Sequence, residues 1–537
     1  MSADLGTLSS ELYASGVELL PGERADVGAA TGAASTSSAD STATEGFVRS
    51  RELFDCELAW LASEEAGGLS HGELEERLQV NARELYRQLF EDHLERRAEQ
   101  EQRIEPVVGA DGARRSSVER AHERPLVTVF GEVGVRRFAY RARGCQNLYP
   151  ADGALNLPAE KQSHGLRRVC AVESTRGSFH EAGDAVVRAT GQRVAARQLQ
   201  QLARRSAQDF EQFYASRKRG ACQPGDAIVL SCDGKGVVMR TDGLRDATRK
   251  QAQNNTNKLK TRLSRGEKHG RKRMAEVAAV YEIEPAPRTA ADILPTNDAE
   301  RSAQIPAPAA KNKWLTASVT DDAATVVAKM FEEAERRDPD HERTWVALVD
   351  GNKHQIDRIN AEAKARKRNV TVLIDLIHVL EYLWKAVWSF FCEGDPAAEL
   401  WVRRHAQQIL AGNATKVAGQ IRRQATKAGL DPTKRAGADT CATYLTNKHP
   451  CLDYPTALKN GWPIATGVIE GACRHLVKDR LDITGARWGL PGAEAILKLR
   501  AIRSNGDFEE YWQYHLAREH QRVHQSRYAN GAIPKAT

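Results

Sequence analysis

The sequence predicts an α/β protein. A mixed five-stranded sheet is covered by helices, interrupted by an all-α insertion, and preceded by helical, β-hairpin and helix-turn-helix segments. Three observations predict it. Five short apolar runs between Ala227 and Ile374 have strand length and composition. Helical periodicity fills the stretches between and after them. Three of the runs end in an aspartate: Asp233, Asp350 and Asp375.

Composition narrows the class. A chain of 537 residues has room for about three or four domains. Its 78 Lys and Arg against 71 Asp and Glu leave a mild +7. The cations are clustered, which is the electrostatic footprint of a nucleic-acid partner. Nine cysteines occur with no CxxC and no close Cys/His quartet, so neither a disulfide framework nor a structural zinc site is expected. No apolar run approaches the roughly 18–20 residues of a membrane span, and the N-terminus lacks a signal pattern. A cytosolic, reduced protein with no membrane partner is the expectation.

In chain order, residues 1–46 read as a disordered leader, because 22–46 are mostly Ala, Ser, Thr, Gly and Asp. Residues 47–122 read as N-terminal amphipathic helices, with Leu53, Leu58, Leu61, Leu74, Leu78, Leu85, Leu89 and Leu94 at helical spacing. They are a candidate dimerising element, followed by a linker over Val107–Ser117. In the β-hairpin region, 123–165, Leu126–Arg143 alternates through Val127, Val129, Val133 and Val135. Arg136, Arg137, Arg141 and Arg143 would stud its outer strand. Residues 166–218 read as a helix-turn-helix. One helix stops at Thr190-Gly191 and a second begins near Ala195. Leu199 and Leu202 point inward, and Arg197, Gln198, Gln201 and Arg204 form an outer DNA-reading face.

The core, 219–391, carries the five strands. Ala227–Ser231 is the first, ending in Cys232-Asp233-Gly234. Arg249–Arg273 holds ten Lys or Arg against one acid, Glu267. It reads as a solvated phosphate-binding loop that includes Lys258, Lys260 and Arg271. Glu276–Tyr281, Trp314–Val319, Thr344–Val349 and Val370–Ile374 are the other strands, and Asp350-Gly351 and Asp375 follow the last two. Strands first, then helix, strand, helix, strand, helix, is the ribonuclease-H-like order. Carboxylates at strand ends suit two-metal phosphoryl chemistry, which needs them convergent. The all-α insertion spans 392–460, with helices at 397–410, 415–427 and 439–446. The final core helices, 461–505, carry Glu470. There Val468, Ile469, Ala472, Cys473 and Leu476 make a buried stripe. Glu470, Arg474 and Lys478 share another face, and Asp479 lies half a turn out of phase. His475, Arg487 and Trp488 add cations and a flat aromatic. A C-terminal helix and tail occupy 506–537, with His520 and His524 on its surface.

From about residue 125 to 528 the chain resembles the DDE transposases of bacterial ISKra-type insertion sequences. The motifs are SCDGKGVVM at Ser231–Met239, WVALVDGNKHQ at Trp345–Gln355, IDLIHVLEYLWKA at Ile374–Ala386, and GWPIATGVIEGACRHLVKDRLDITGARWGL at Gly461–Leu490. The resemblance implies that Asp233, Asp350 and Glu470 are the catalytic metal triad for two Mg²⁺ (or Mn²⁺) ions. It makes Asp375 and His378 similar to the Cys/Asp-x-x-His motif of transposases with an α-helical insertion. It further implies double-stranded DNA partners (terminal inverted repeats and target), a homodimer or higher oligomer in synapsis, and a nucleoid-associated protein of the bacterial cytoplasm. The expected reaction is cleavage at transposon ends and transfer of the 3′-hydroxyl into target DNA. Its rivals are a nuclease on the same core and an inactive DNA-binding regulator.

Overall fold

The computed structural model describes residues 46–535, save 219, 221, 256–258, 260–262 and 484. The leader (except its last residue) and two candidate DNA contacts, Lys258 and Lys260, thus lie outside the described residues. These fall into two compact units. One is residues 216–506; the other joins the N-terminal part through 215 to residues 507 onward.

In the N-terminal unit, helices Val48–Leu61 and His71–Glu99 precede a hairpin of β1 (Ser117–Val127) and β2 (Glu132–Arg141). Strand β1 begins inside the stretch read as helices and linker. Its first half, SVERAHER, has no apolar alternation, because in a two-stranded sheet the pairing with β2 holds it instead. Arg137 does not stud the surface. Only 4% exposed, it grips Asp152 through Nε at 2.7 Å and a terminal nitrogen at 3.2 Å. Helices His164–Ser174, Phe179–Thr190 and Ala196–Ser206 follow. Leu166, Cys170, Val186, Leu199 and Leu202 form their shared core. Gly191 closes the second helix at φ +74°, in the left-handed region that favours glycine.

The helix Phe508–Val523 completes this unit, and its buried face is ionic. His515 Nδ1 lies 2.7 Å from Asp209. Arg522 donates two hydrogen bonds of 2.9 Å to the same carboxylate, and Arg167 reaches Glu519 at 3.2 Å. His524 is buried rather than on the surface, with Nε2 2.7 Å from the Leu157 carbonyl. His520 contacts the Gly153 carbonyl at 3.0 Å. Both histidines lie on the face that packs inward.

The second unit is built on five strands: β3 (Ala227–Val238), β4 (Lys272–Ile283), β5 (Ala310–Ser318), β6 (Trp345–Val349) and β7 (Val370–Ile374). Their order across the sheet is β5-β4-β3-β6-β7. β3, β4 and β5 pair antiparallel, whereas β6 runs parallel to both β3 and β7. The expected first strand was half its true length. Asp233-Gly234 reads as the end of the strand, yet β4 pairs with β3 all the way from Ile283 to Lys272. The basic run is no structureless loop either. It starts within the helix Asp246–Asn254 and contains Arg265–His269, the latter capped reciprocally by Ser264 and Glu267, and its last cations begin β4.

Alternation in β3 and β6 splits the apolar side chains between two faces. Val229, Val346 and Leu348 join a core with Leu376, Val379 and Leu383 of the helix Leu376–Val387. That core continues without a break into helices Pro396–Leu410, Ala414–Lys427 and Ala436–Lys448, through Ile409, Ile421 and Leu445. The other face is covered by Ala323–Arg337 and Lys353–Ala365. Helix Leu490–Ser504 shields the outer edge of β5. Asn505 pairs with the N–H and C=O of Leu315 at 2.8 and 3.0 Å, and Glu494 accepts from Ser318 and Val319. An unpaired strand edge is thereby closed to other chains. Among the described residues, no helix is long and apolar enough to cross a membrane.

Leu383 is fully buried where the sheet core meets the helical layer, while Leu400 is 68% exposed. Leu383→Ala should lower stability in urea unfolding by about 2–5 kcal/mol. Leu400→Ala should stay within about 0.5 kcal/mol.

Candidate metal centre

Parallel pairing of β6 with β7, Val349 beside Ile374, brings Asp350 and Asp375 to the same edge of the sheet. The Asp375 N–H donates to the Val349 carbonyl at 2.8 Å, locking the two strand ends together. Asp350 turns the chain into the next helix: its Oδ1 accepts from the Asn352 N–H at 2.7 Å. Gly351 follows at φ +90°, where a Cβ would stand 2.8 Å from the Tyr444 hydroxyl. Only glycine fits there.

Asp233 is not at a strand terminus, yet it occupies the equivalent position. The last β3 residue paired with β6 is Leu230, opposite Ala347. Beyond it the ladder partner of β3 is β4, so Asp233 lies past the end of the parallel pairing. Glu276 of β4 sits opposite the neighbouring Gly234, and burial raises its pKa above the ordinary carboxylate value.

Glu470 comes from the helix Gly467–Ala472. One turn earlier, Thr466 donates a short hydrogen bond to Asp375 Oδ2 and lies 3.5 Å from Glu470 Oε1. One turn later, Cys473 points its sulfur at Asp233 Oδ2, 3.3 Å away. The Glu470 helix therefore touches Asp375 at one end and Asp233 at the other. Asp375, His378 and Glu470 each present a ligand atom within 4.8 Å of the other two. Among the described residues, Asp233 and Asp350 are outside that grouping. Two carboxylates and an imidazole so placed could hold a metal ion.

Electrostatics follow from burial. Asp375 is fully buried, and its carboxylate pushes the pKa of His378, 3.5 Å away, up to about 9. Burial, with Asp233 and Asp350 nearby, pushes the Cys232 thiol up to about 12.

Beyond Cys473 the helix departs from the expected geometry. Residues Cys473–Lys478 are π-helical, so each turn closes over one more residue and the 3.6-residue phase is lost. Arg474, His475 and Lys478 are exposed. Asp479 accompanies them, 3.2 Å from His475 and 3.8 Å from Arg474, instead of standing on an opposite face. Arg487 is exposed and Arg271 partly so. Trp488 is a correction: it is 5% exposed, donates to the Leu481 carbonyl at 2.9 Å and carries Arg480 over its ring at 4.8 Å. It offers no flat face to a base, because residues 238–240 bond its backbone in strand fashion. In the other unit, Arg197, Gln198, Gln201 and Arg204 all face solvent. Gln198 is partly engaged, accepting from the Ala195 N–H at 3.3 Å.

Sequence reasoning missed Thr466, Cys473 and Glu276. Thr466 and Cys473 flank Glu470 by one turn on each side, the spacing of residues that share a helix face; that spacing was the available signal. Comparison with protein-family models finds no match, and comparison with curated proteins finds none.

The raised His378 pKa sets a pH dependence. A group whose pKa rises on folding stabilises below its unfolded value and loses that contribution as pH climbs through the folded one. In metal-free buffer, wild type should lose melting temperature relative to His378→Gln between pH 6.5 and about 9. Parallel melting curves across that range would disprove the pairing with Asp375.

Proposed function

We propose that the protein is a metal-dependent DNA transposase with a ribonuclease-H-like core, cleaving transposon ends and joining the freed 3′-hydroxyl to target DNA. The observation that carries this reading is the Glu470 helix. Through Thr466 and Cys473 it gathers Asp375 and Asp233, while strand pairing sets Asp350 beside Asp375. The strand order, with three antiparallel strands followed by two parallel ones, supports the same core.

Asp233, Asp350 and Glu470 would hold the cations, with Asp375 and His378 at the margin. Bound there, the cations would activate water or a 3′-hydroxyl and offset charge on the phosphate under attack. Thr466 orients two carboxylates at once. The imidazolium of His378 faces the site as a hydrogen-bond donor to a phosphate oxygen. Arg474 and Lys478, exposed just past Cys473, would neutralise flanking phosphates, and partners read through Arg197 and Gln201 would be duplex transposon ends. A nuclease without strand transfer shares every one of these catalytic groups. The exposed, polar face of the Ala196–Ser206 helix favours transposition, because specific ends call for a reading surface.

Glu470→Gln keeps the shape but removes a charge that cations need. It should melt no lower than wild type without metal, still shift a transposon-end duplex in a gel, and cleave slower by several orders of magnitude. Asp479→Asn should cleave near the wild-type rate, since Asp479 pairs outward with Arg474 and His475. Equal cleavage by the two variants would remove Glu470 from the reaction.

Replacing Arg197 and Gln201 with Ala should weaken binding to the element's own ends by about 1–3 kcal/mol per lost base contact. Random duplex should lose less. Equal losses on both DNAs would reduce that face to backbone contact.

A further inference from the structure

The end of the sheet opposite the candidate catalytic edge holds a second convergence of ligand atoms. Cys222 and Asp226 immediately precede β3, and Glu282 lies near the end of β4, opposite Ile228. The Cys222 sulfur and one oxygen from each carboxylate lie within 4.8 Å of one another. Seven residues of extended strand, about 23 Å at 3.3 Å per residue, separate Asp226 from Asp233. The two clusters cannot share an ion.

Two features mark this place as more than a chance meeting of acids. Cys222 is 2% exposed and its sulfur makes no hydrogen bond among the described residues, so a buried polarizable donor faces two carboxylates unused. Glu282 also keeps acceptor capacity. Glu282, 4% exposed, accepts from Arg337 at 3.0 Å and from the Asn312 amide at 2.7 Å. Arg337 spends its other donors on Glu333 and the Asn312 carbonyl. Arg336 shares Glu333 with it, donating at 3.0 Å, and Asp226 stands beside Glu282. Glu282 has lone pairs left, because a carboxylate accepts at about four positions.

We propose that Cys222, Asp226 and Glu282 form a structural metal site for a borderline-soft divalent ion of the zinc class, distinct from the catalytic cations. One sulfur and two oxygens match zinc's mixed preference, whereas Mg²⁺ avoids thiolate. The thiol releases its proton to solvent as the sulfur–metal bond forms, and water completes a tetrahedral set. The ion ties the chain leading into β3 to the end of β4. Binding energy of this kind adds directly to folding stability. The ligand spacing, 222, 226 and 282, matches no sequence pattern for zinc.

The test uses full-length protein stripped with a chelator, then titrated with Co²⁺ and separately with Zn²⁺. Co²⁺ should give a thiolate charge-transfer band at one equivalent, and Zn²⁺ should abolish it and raise the melting temperature. Cys222→Ser and Asp226→Asn should each lose the band. Cys473→Ser, which alters the cysteine beside Asp233, should keep it. A band lost in Cys473→Ser and retained in Cys222→Ser would overturn the proposal, as would no band in wild type. If Cys222→Ser fails to fold, Asp226→Asn decides alone: a band of unchanged intensity and affinity there rejects the site.

Discussion

The carboxylate of Asp375 has no access to water, and the arrangement of the candidate site depends on how that charge is accommodated. An unpaired carboxylate in the interior costs several kcal/mol. Here it accepts from the Ile377 N–H at 2.9 Å and from the Thr466 hydroxyl, and it faces the imidazole of His378. The first donor comes with the helix that begins at Leu376. The second lies 91 residues away in sequence. Satisfying Asp375 therefore fixes the chain at Thr466, and Glu470 follows one helical turn later. A backbone hydrogen bond from the Leu376 N–H to the Ile464 carbonyl, 2.9 Å, reinforces the same junction. The position of the one helical carboxylate is set by the burial of another.

Much of this was legible in the sequence. The strands β6 and β7 are continuous apolar runs, and their bounds fall within about one residue of those read from the sequence alone. Gly191 ended its helix as expected. What escaped was whatever pairing decides. Asp233-Gly234 looks like a strand-ending turn, and pairing with β4 keeps the chain extended through it. SVERAHER looks like linker until β2 lies beside it. The π-helical turn after Glu470 adds one residue to the spacing, too little to disturb the apolar stripe from Val468 to Leu476, and enough to move Asp479 onto the face of its cationic neighbours.

The site shows the same division. Asp233, Asp350, Asp375 and Glu470 stand out as acids at strand ends or on a basic helix. Their supports do not. Cys473 belongs to the apolar stripe in sequence, and its buried thiol reaches Asp233. Trp488 follows Arg487 as if both were contacts, but its indole N–H is spent on a carbonyl and its ring lies under Arg480. An exposed aromatic and a buried one are indistinguishable until the surrounding chain is placed.

The N-terminal unit is discontinuous, closed by a helix that arrives after residues 216–506. On the ribosome this imposes an order. Asp209 and Arg167 emerge long before His515, Arg522 and Glu519, the groups that neutralise them. About 290 residues intervene, or about 15–60 s of synthesis at roughly 5–20 residues per second. For that interval Asp209 lacks both of its cationic partners, and Arg167 has only Glu160 of its native carboxylates. The sheet unit, whose strands and helices are all contiguous, can mature first.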